Sequence, residues 1–184
     1  MAITVTSLGT AINNKSGGAA VLDLTGGVTA GDIIIVCYAG DAAASTTTGE
    51  HSVGRSTGSD DSTVDVVSTN TGNVVTQVHR IEVSATQAWG GVYPFVKLVG
   101  TGACAIAVYK VTGLAATPFD KSASAINAGT APSSTATATL TQADELGIGA
   151  IGTEGPDGDT AGTWTTGAGN VSGNEQRLGT TGAG

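Results

Sequence analysis

Residues 33–39 read Ile-Ile-Ile-Val-Cys-Tyr-Ala and are apolar on both faces of an extended strand. Such a strand has to be covered on both sides, because an edge strand normally carries polar or charged interruptions. The turn sequence at residues 30–32, Ala-Gly-Asp, leads into this run, which is far shorter than the roughly 20 residues that cross a bilayer. The run therefore predicts the central strand of a folded core and no membrane partner.

Short segments rich in Val, Ile and Thr recur along the chain between clusters of Gly, Asn, Asp and Ser. This pattern predicts strands joined by polar turns and almost no helix. Residues 74–84 also fit a helical spacing, but their Val content favours a strand or a strand pair. Gly-Thr-Gly at 100–102 predicts a hairpin loop between two neighbouring segments. Besides 33–39, the predicted strands are residues 3–6, 19–24, 64–68, 74–84, 92–99, 103–112, 135–141 and 146–151.

About seven to nine short strands predict an all-β protein, an antiparallel β-sandwich of the jelly-roll or immunoglobulin-like type with long Gly/Thr/Ser-rich loops. The sandwich domain is expected to span residues 1–152 and to contain one long loop at about 40–72. Residues 153–184 hold few large apolar side chains. They are expected to form a Gly/Thr-rich C-terminal arm or an incomplete set of further strands.

The charge pattern excludes several functions. The 15 acidic and 7 basic residues are scattered and give a net charge of -8, so no basic cluster is available to neutralise the phosphates of a nucleic acid. Residues 1–11 lack a basic stretch and alternate Thr and Ser with apolar residues, which favours a first strand over a signal peptide. Few side chains can serve in acid–base chemistry, and the composition therefore predicts a protein that is not an enzyme.

Residues 54–58, Gly-Arg-Ser-Thr-Gly, match the GxSxG string of serine hydrolases. That chemistry needs the serine on a strained turn between a buried strand and a helix, with a histidine in reach. The flanks here are Ser, Thr, Asp and Gly, which favour a polar loop. The two histidines, His51 and His79, could pair with Asp60 or Asp61, but isolated histidines are more often surface residues. We therefore predict no catalytic residue.

Cys37 and Cys104 each fall in a predicted strand, at a separation compatible with the bridge between the sheets of an immunoglobulin domain. No Trp follows Cys37 at the expected spacing and no Tyr stands two residues before Cys104. Buried free thiols are the favoured interpretation, because an isolated Cys often behaves as a small core residue.

Glu154, Asp157 and Asp159 lie close together in a Gly-rich stretch, and three carboxylates can supply oxygen ligands to Ca²⁺. The Glu at the twelfth position of an EF-hand loop is missing, so a solvated acidic turn is favoured. No cofactor is predicted.

Large aromatic side chains are the candidate interaction residues. Trp89 and Trp164 could stack on a sugar or dock on a partner, and Trp164 stands alone among Gly and Thr. Tyr93, Phe95 and Tyr109 are expected to pack in the core or an interface, with Tyr109 on the partner strand of the hairpin.

Two stretches carry a family resemblance. Residues 2–10, Ala-Ile-Thr-Val-Thr-Ser-Leu-Gly-Thr, with 30–36, Ala-Gly-Asp-Ile-Ile-Ile-Val, resemble the N-terminal half of small β-sandwich structural proteins of tailed bacteriophages. Residues 139–150, Thr-Leu-Thr-Gln-Ala-Asp-Glu-Leu-Gly-Ile-Gly-Ala, with Glu-Gly-Pro at 154–156, are similar to a recurring strand-turn-strand unit of the same proteins. These proteins serve as capsid decoration proteins and as head or tail appendages.

The resemblance implies a non-enzymatic virion structural protein, assembled in the host cytoplasm, and transfers no catalytic residue. A capsid decoration or cement protein would bind across subunits of the major capsid protein or other virion subunits and act as a homo-oligomer. An acidic subunit could complement basic patches on a capsid lattice. The alternative is a glycan-binding or adhesive module on a phage tail or cell surface, which exposed rings at Trp89 and Trp164 would favour.

Overall fold

The structure is a computed structural model of the chain and describes residues 2–13, 19–41, 51–69, 74–99, 104–127, 133–141 and 145–152. Within these residues it contains nine strands and no helix. The strands are β1 (Thr4–Asn13), β2 (Ala19–Asp23), β3 (Ile33–Asp41), β4 (His51–Arg55), β5 (Gly58–Asp61), β6 (Thr63–Thr69), β7 (Val74–Glu82), β8 (Phe95–Val99) and β9 (Cys104–Thr112).

The strands form two antiparallel sheets. One sheet has five strands in the order β1-β9-β3-β7-β6, and the other has four in the order β2-β8-β4-β5. Residues of both sheets enclose a common apolar core. The prediction of an all-β antiparallel sandwich is therefore confirmed.

The core is built from alternate side chains of the facing strands, because successive side chains of a strand point to opposite faces. Ile34, Val36 and Ile106 come from the five-stranded sheet, and Val53 and Val96 come from the other sheet. All five are fully buried. The side chains between them point to the two outer faces of the sandwich.

β3 is covered on both faces, as its apolar run predicts. It pairs with β7 on one side and with β9 on the other. Its outer side chains include Ile35, which is 4% exposed, and the half-buried Ile33 and Cys37. With Val111 they belong to a second apolar cluster, which lies on the outer face of the five-stranded sheet.

β1 contributes to both clusters because a bulge reverses its faces. The register with β9 shifts between Ser7 and Gly9, which inserts one extra residue. Before the shift Val5 packs in the outer cluster, and after it Ala11 packs against the core between the sheets.

The long loop expected at about 40–72 is a wrong prediction for most of its length. Residues 51–69 contain β4, β5 and β6, of which only the third was predicted, as a short strand at 64–68. The Ser, Gly and Asp content of this stretch concealed β4 and β5. Pairing with β8, rather than intrinsic propensity, holds β4 in the sheet.

The predicted hairpin between residues 92–99 and 103–112 is also wrong. β8 belongs to the four-stranded sheet and β9 to the five-stranded sheet, so Tyr109 is not on a partner strand of Phe95. Val96 of β8 and Ile106 of β9 are both fully buried in the same core. Because β8 and β9 face each other across the core, their inner apolar side chains are buried against each other. Pairing of the two strands edge to edge in one sheet would not bury these side chains in this way.

The last two predicted strands are absent from the described residues. The described parts of 135–141 and 146–151 have no strand, and residues 133–141 are exposed throughout. The strand-turn-strand unit that carries part of the phage resemblance therefore has no strand there. The domain boundary at residue 152 stays a prediction, because 153–184 lie outside the described residues.

We expect Ile34→Ala to lower the free energy of unfolding by about 2 to 5 kcal/mol, because it leaves a cavity in the core between the sheets. The matched control is Val92→Ala at a side chain that is 60% exposed and lies outside the core, where we expect a change within about 0.5 kcal/mol. Urea unfolding followed by circular dichroism measures both. Equal effects of the two substitutions would contradict the assignment of the core.

Candidate interaction surface

The chain leaves β9 and turns over the outer face of the five-stranded sheet. We call residues 113–127, 133–141 and 145–152 the strap. It begins at Gly113, whose φ of +81° suits glycine, and a Cβ there would overlap the carbonyl oxygen of Ala2. Gly113 therefore lets the chain reverse close beside the N-terminal backbone.

The strap is attached to the sheet through apolar contacts and one hydrogen bond. Leu114, Leu146 and Ala150 pack against the outer apolar cluster that includes Ile35 and Val111. Ser68 Oγ donates to the carbonyl oxygen of Ala125 at 3.2 Å. These contacts join the strap to the sheet at both its beginning and its end.

Within the strap, the backbone N–H of Thr141 donates to Asp120 Oδ2 at 2.9 Å. This hydrogen bond to the charged form lowers the pKa of the Asp120 carboxyl. The contact connects residues 113–127 of the strap to residues 133–141.

The side of the strap that faces away from the sheet is rich in large apolar residues. Such residues are normally buried or scattered singly on a soluble surface. Among the described residues the strap holds five exposed ones, more than the nine strands together. They are Phe119, Ile126, Leu140, Ile148 and Ile151, which are 40% to 59% exposed.

A half-open groove of about 520 Å³ lies where the strap begins, between Ile33, Val111 and Leu114. Glu82 is its one titratable lining residue, and Arg80 binds that carboxylate from the same strand. The groove therefore offers little chemistry for catalysis.

The outer face of the four-stranded sheet is built differently. Phe95 lies in the middle of a row, with Asp23 of β2 beside it on one side and Gly54 of β4 on the other. The ring tip of Phe95 occupies the space that a Cβ at Gly54 would need. Tyr93 stacks on Phe95 with ring centroids 5.4 Å apart, and both rings are half-buried.

The GxSxG string forms the turn between β4 and β5, with Arg55 paired to Gly58. It joins two antiparallel strands, whereas a nucleophile elbow joins a strand to a helix. The Ser56 hydroxyl donates to Gln87 Oε1 at 2.8 Å. Ser56 is therefore held as a turn residue.

An ion pair across the β4–β5 hairpin is hydrogen-bonded to Ser84, two residues after the end of β7. Arg55 donates to both carboxylate oxygens of Asp60, at 2.9 and 3.1 Å, and the side chains are 8% and 9% exposed. The Ser84 backbone N–H donates to the same carboxylate at 3.0 Å. Burial raises the pKa of Asp60, but the hydrogen bonds from Ser84 and the Arg55 charge outweigh it and lower the pKa overall.

The two histidines are not brought together as a catalytic pair. His51 is the first residue of β4, in the other sheet from His79. His79 is 0% exposed on β7, so the expected surface position is wrong for it. Its ring nitrogens lie 2.9 Å from Ser62 Oγ and 2.8 Å from Gln77 Oε1. Burial lowers its pKa to about 4 and keeps the ring neutral.

The two cysteines lie in the same sheet and on opposite faces of it. Cys37 pairs with Ala107, whereas Cys104 pairs with Gly40. Cys104 packs between the sheets and Cys37 under the strap. The structure excludes the inter-sheet bridge and confirms the favoured interpretation, because neither cysteine forms a disulfide. Burial raises the pKa of Cys37 to about 11.

The remaining candidate residues are only partly placed. Glu154, Asp157, Asp159 and Trp164 lie outside the described residues. Trp89 is half-buried in the connection between β7 and β8. In the part of the chain that the structure covers, no three His, Cys, Asp or Glu side chains form a group that could hold a metal ion. The same part contains no helix able to cross a membrane.

Sequence reasoning missed both outer faces. The sequence predicts strands at residues 135–141 and 146–151 of the strap and places Phe95 in a hairpin. The alternation of residues 93–97 does place Tyr93, Phe95 and Lys97 on one face. It gives no sign that this face points away from the core.

No protein-family model, curated protein or solved structure matches the chain. Its function therefore has to be argued from its own residues and geometry.

We expect the free energy of unfolding to fall as the pH is lowered from 6.5 to about 4. In this range the folded state keeps His79 neutral, whereas the same residue in the unfolded chain binds a proton. The contribution of His79 to the free energy of unfolding is therefore complete above pH 6.5 and is lost toward pH 4. The loss amounts to at most about 3 kcal/mol. Urea unfolding across this pH range measures it.

His79→Gln is the control variant, because glutamine can still hydrogen-bond but does not titrate. We expect a flatter pH dependence in this window. The effect of Asp60 is separable, because its lowered pKa places the loss of its contribution below about pH 4. An equal slope in the variant would refute the role given to His79.

We expect two free thiols per chain by mass spectrometry after alkylation of the unfolded protein. In the folded protein both should react slowly, because Cys104 is buried and the raised pKa of Cys37 leaves little thiolate. Leu146→Ala should speed the labelling of Cys37 more than that of Cys104, since Leu146 and Cys37 pack in the same outer apolar cluster and Cys104 packs between the sheets. Equal acceleration at both thiols would contradict this placement.

Proposed function

We propose that the protein is a non-enzymatic structural subunit of a bacteriophage particle, a capsid decoration or cement protein that acts as a homo-oligomer. The outer side of the strap is its interface, and the partners are further copies and subunits of the major capsid protein. The observation that carries the proposal is the set of exposed apolar side chains on the strap.

The physical argument starts from the cost of exposing these side chains. Burying a large aliphatic or aromatic side chain contributes about 1.5 to 3 kcal/mol, and Ile126 and Leu140 are about half exposed in the single chain. A segment that serves only as a connection would carry polar residues here. Contact with another subunit would remove this apolar surface from water, as in the core of a protein interface.

The strap also has the form of an assembly element. It has no strand among its described residues, and its inner side is already occupied by contacts with the sheet through Leu114, Leu146 and Ala150. It therefore offers a preformed surface without a large rearrangement, which lowers the entropic cost of association. Binding across a junction between capsid subunits would add buried area that resists expansion of the shell.

The order of the strands favours the jelly-roll alternative. The first four strands alternate between the sheets, and β1-β9-β3-β7 face β2-β8-β4-β5. An immunoglobulin domain instead begins with neighbouring strands in one sheet. In this arrangement β6 is an additional strand at the edge of the five-stranded sheet, beside β7. Jelly rolls occur in viral capsids and also in lectins, so the fold supports a virion role without defining it.

We expect the purified protein to form an oligomer, and the double variant Ile126→Ser and Ile148→Ser to be monomeric while remaining folded. Light scattering after gel filtration gives the mass, and circular dichroism checks the fold. Val21→Ser is the matched control, because Val21 is 46% exposed on the other sheet, and it should leave the oligomer intact.

The virion role itself is tested by deleting the gene from the phage or prophage that encodes it. Particles without the protein should lose one structural component and break at lower temperature or osmotic stress. Particles of unchanged composition and stability would overturn the virion role, and a monomeric wild-type protein would overturn the role of the strap.

A further inference from the structure

The outer face of the four-stranded sheet combines an aromatic pair with exposed polar side chains. Tyr93 and Phe95 stack at its centre. The row through Phe95 continues to Asp23 and Ser59, and Lys97 stands two residues further along β8. Asp23, Ser59 and Lys97 are all exposed.

We propose that this face binds a neutral oligosaccharide, with a sugar ring packed on the Tyr93–Phe95 pair and its hydroxyl groups bonded to Asp23, Ser59 and Lys97. The inference is independent of the proposed assembly role, because the strap lies on the other sheet.

The aromatic pair supplies the apolar part of such a site. One face of a hexopyranose ring presents C–H groups, which pack favourably against the electron-rich face of an aromatic ring. Because Gly54 has no side chain, the Phe95 ring can extend across β4. A Cβ at Gly54 would collide with this ring. The Phe95 ring therefore extends over the neighbouring strand, beside the Tyr93 ring that stacks on it.

The polar side chains supply the hydrogen bonds that would orient the sugar. A carboxylate accepts hydrogen bonds from sugar hydroxyls, an ammonium group donates them, and a serine hydroxyl does both. Among the described residues neither Asp23 nor Lys97 has an ion-pair partner. Their hydrogen-bonding capacity is therefore directed to solvent and is open to a ligand.

A neutral ligand fits the charge of this face better than an anionic one. Asp23 and Asp61 are both exposed on it, against the single ammonium of Lys97, so an acidic glycan would meet repulsion. A protein partner would match this face less well, because Val21 is the one exposed aliphatic residue among those of the face whose side chains the structure describes. The centre of a stable protein interface carries more apolar area and fewer charges.

Packing inside the sheet explains Phe95 but not Tyr93. A ring that covers a glycine on the neighbouring strand stabilises a sheet, and Phe95 does this for Gly54. Tyr93 stacks on the ring from outside the strand, just before β8 begins, and remains half-buried. A second ring in this position extends the aromatic surface beyond what the sheet needs.

The test is titration of the full chain with cellohexaose, maltohexaose and tetra-N-acetylchitotetraose, followed by calorimetry and by tyrosine and tryptophan fluorescence. We expect at least one of the three to bind. Tyr93→Ala should weaken that binding at least tenfold. Phe119→Ala, which removes an exposed ring from the strap, should leave the affinity unchanged.

Asp23→Asn is the second variant, because it keeps the size of the side chain and does not touch the aromatic pair. It should weaken binding several-fold without changing the unfolding temperature. Failure of all three sugars to bind, or binding that survives both Tyr93→Ala and Asp23→Asn, overturns the inference. Either result leaves the oligomeric state unaffected, so the assembly proposal is judged separately.

Discussion

The structure depends on covering both faces of β3. Its inner side chains, such as Ile34 and Val36, are buried against the four-stranded sheet, and its outer side chains, such as Ile35, are buried with the help of the strap. A sandwich of two sheets covers one face of each sheet, so a strand that is apolar on both faces needs a third layer. The irregular segment after β9 supplies that layer and is therefore part of the folding unit.

The two outer faces consequently differ in chemistry. The strap packs on the outer face of the five-stranded sheet through Leu114, Leu146 and Ala150 and exposes apolar side chains such as Ile126. On the outer face of the four-stranded sheet, Phe95 lies among exposed charged and hydroxyl side chains. A molecule with one apolar and one polar face can hold a neighbour on one side and keep the other side available to a ligand.

How far the sequence predicts the structure depends on how strongly each segment is apolar. β3 and β7 are predictable because their Val and Ile runs have no other stable environment. β4 and β5 are not, because Ser, Gly and Asp have low strand propensity. β4 is held by β8, which is distant in sequence, and among the described residues β5 pairs only with β4. The error in the predicted hairpin also comes from partners distant in sequence. Gly-Thr-Gly is compatible with a tight turn, but β8 pairs with β2 and β4 while β9 pairs with β1 and β3. Residues 135–141 and 146–151 are predicted as strands because their apolar residues alternate with Thr or with small residues, a pattern that also occurs in an irregular segment.

The pairing of β1 with β9 sets the order in which the chain can complete its fold. Thr4 pairs with Thr112, so the first strand has to wait for nearly two thirds of the polypeptide before its partner leaves the ribosome. β3 also acquires its second neighbour at that moment. Contacts between residues so distant in sequence form slowly, and unpaired strand edges are exposed to association during synthesis. The absence of charge from residues 4–13 makes this interval the stage at which a nascent chain is most vulnerable to pairing with another copy.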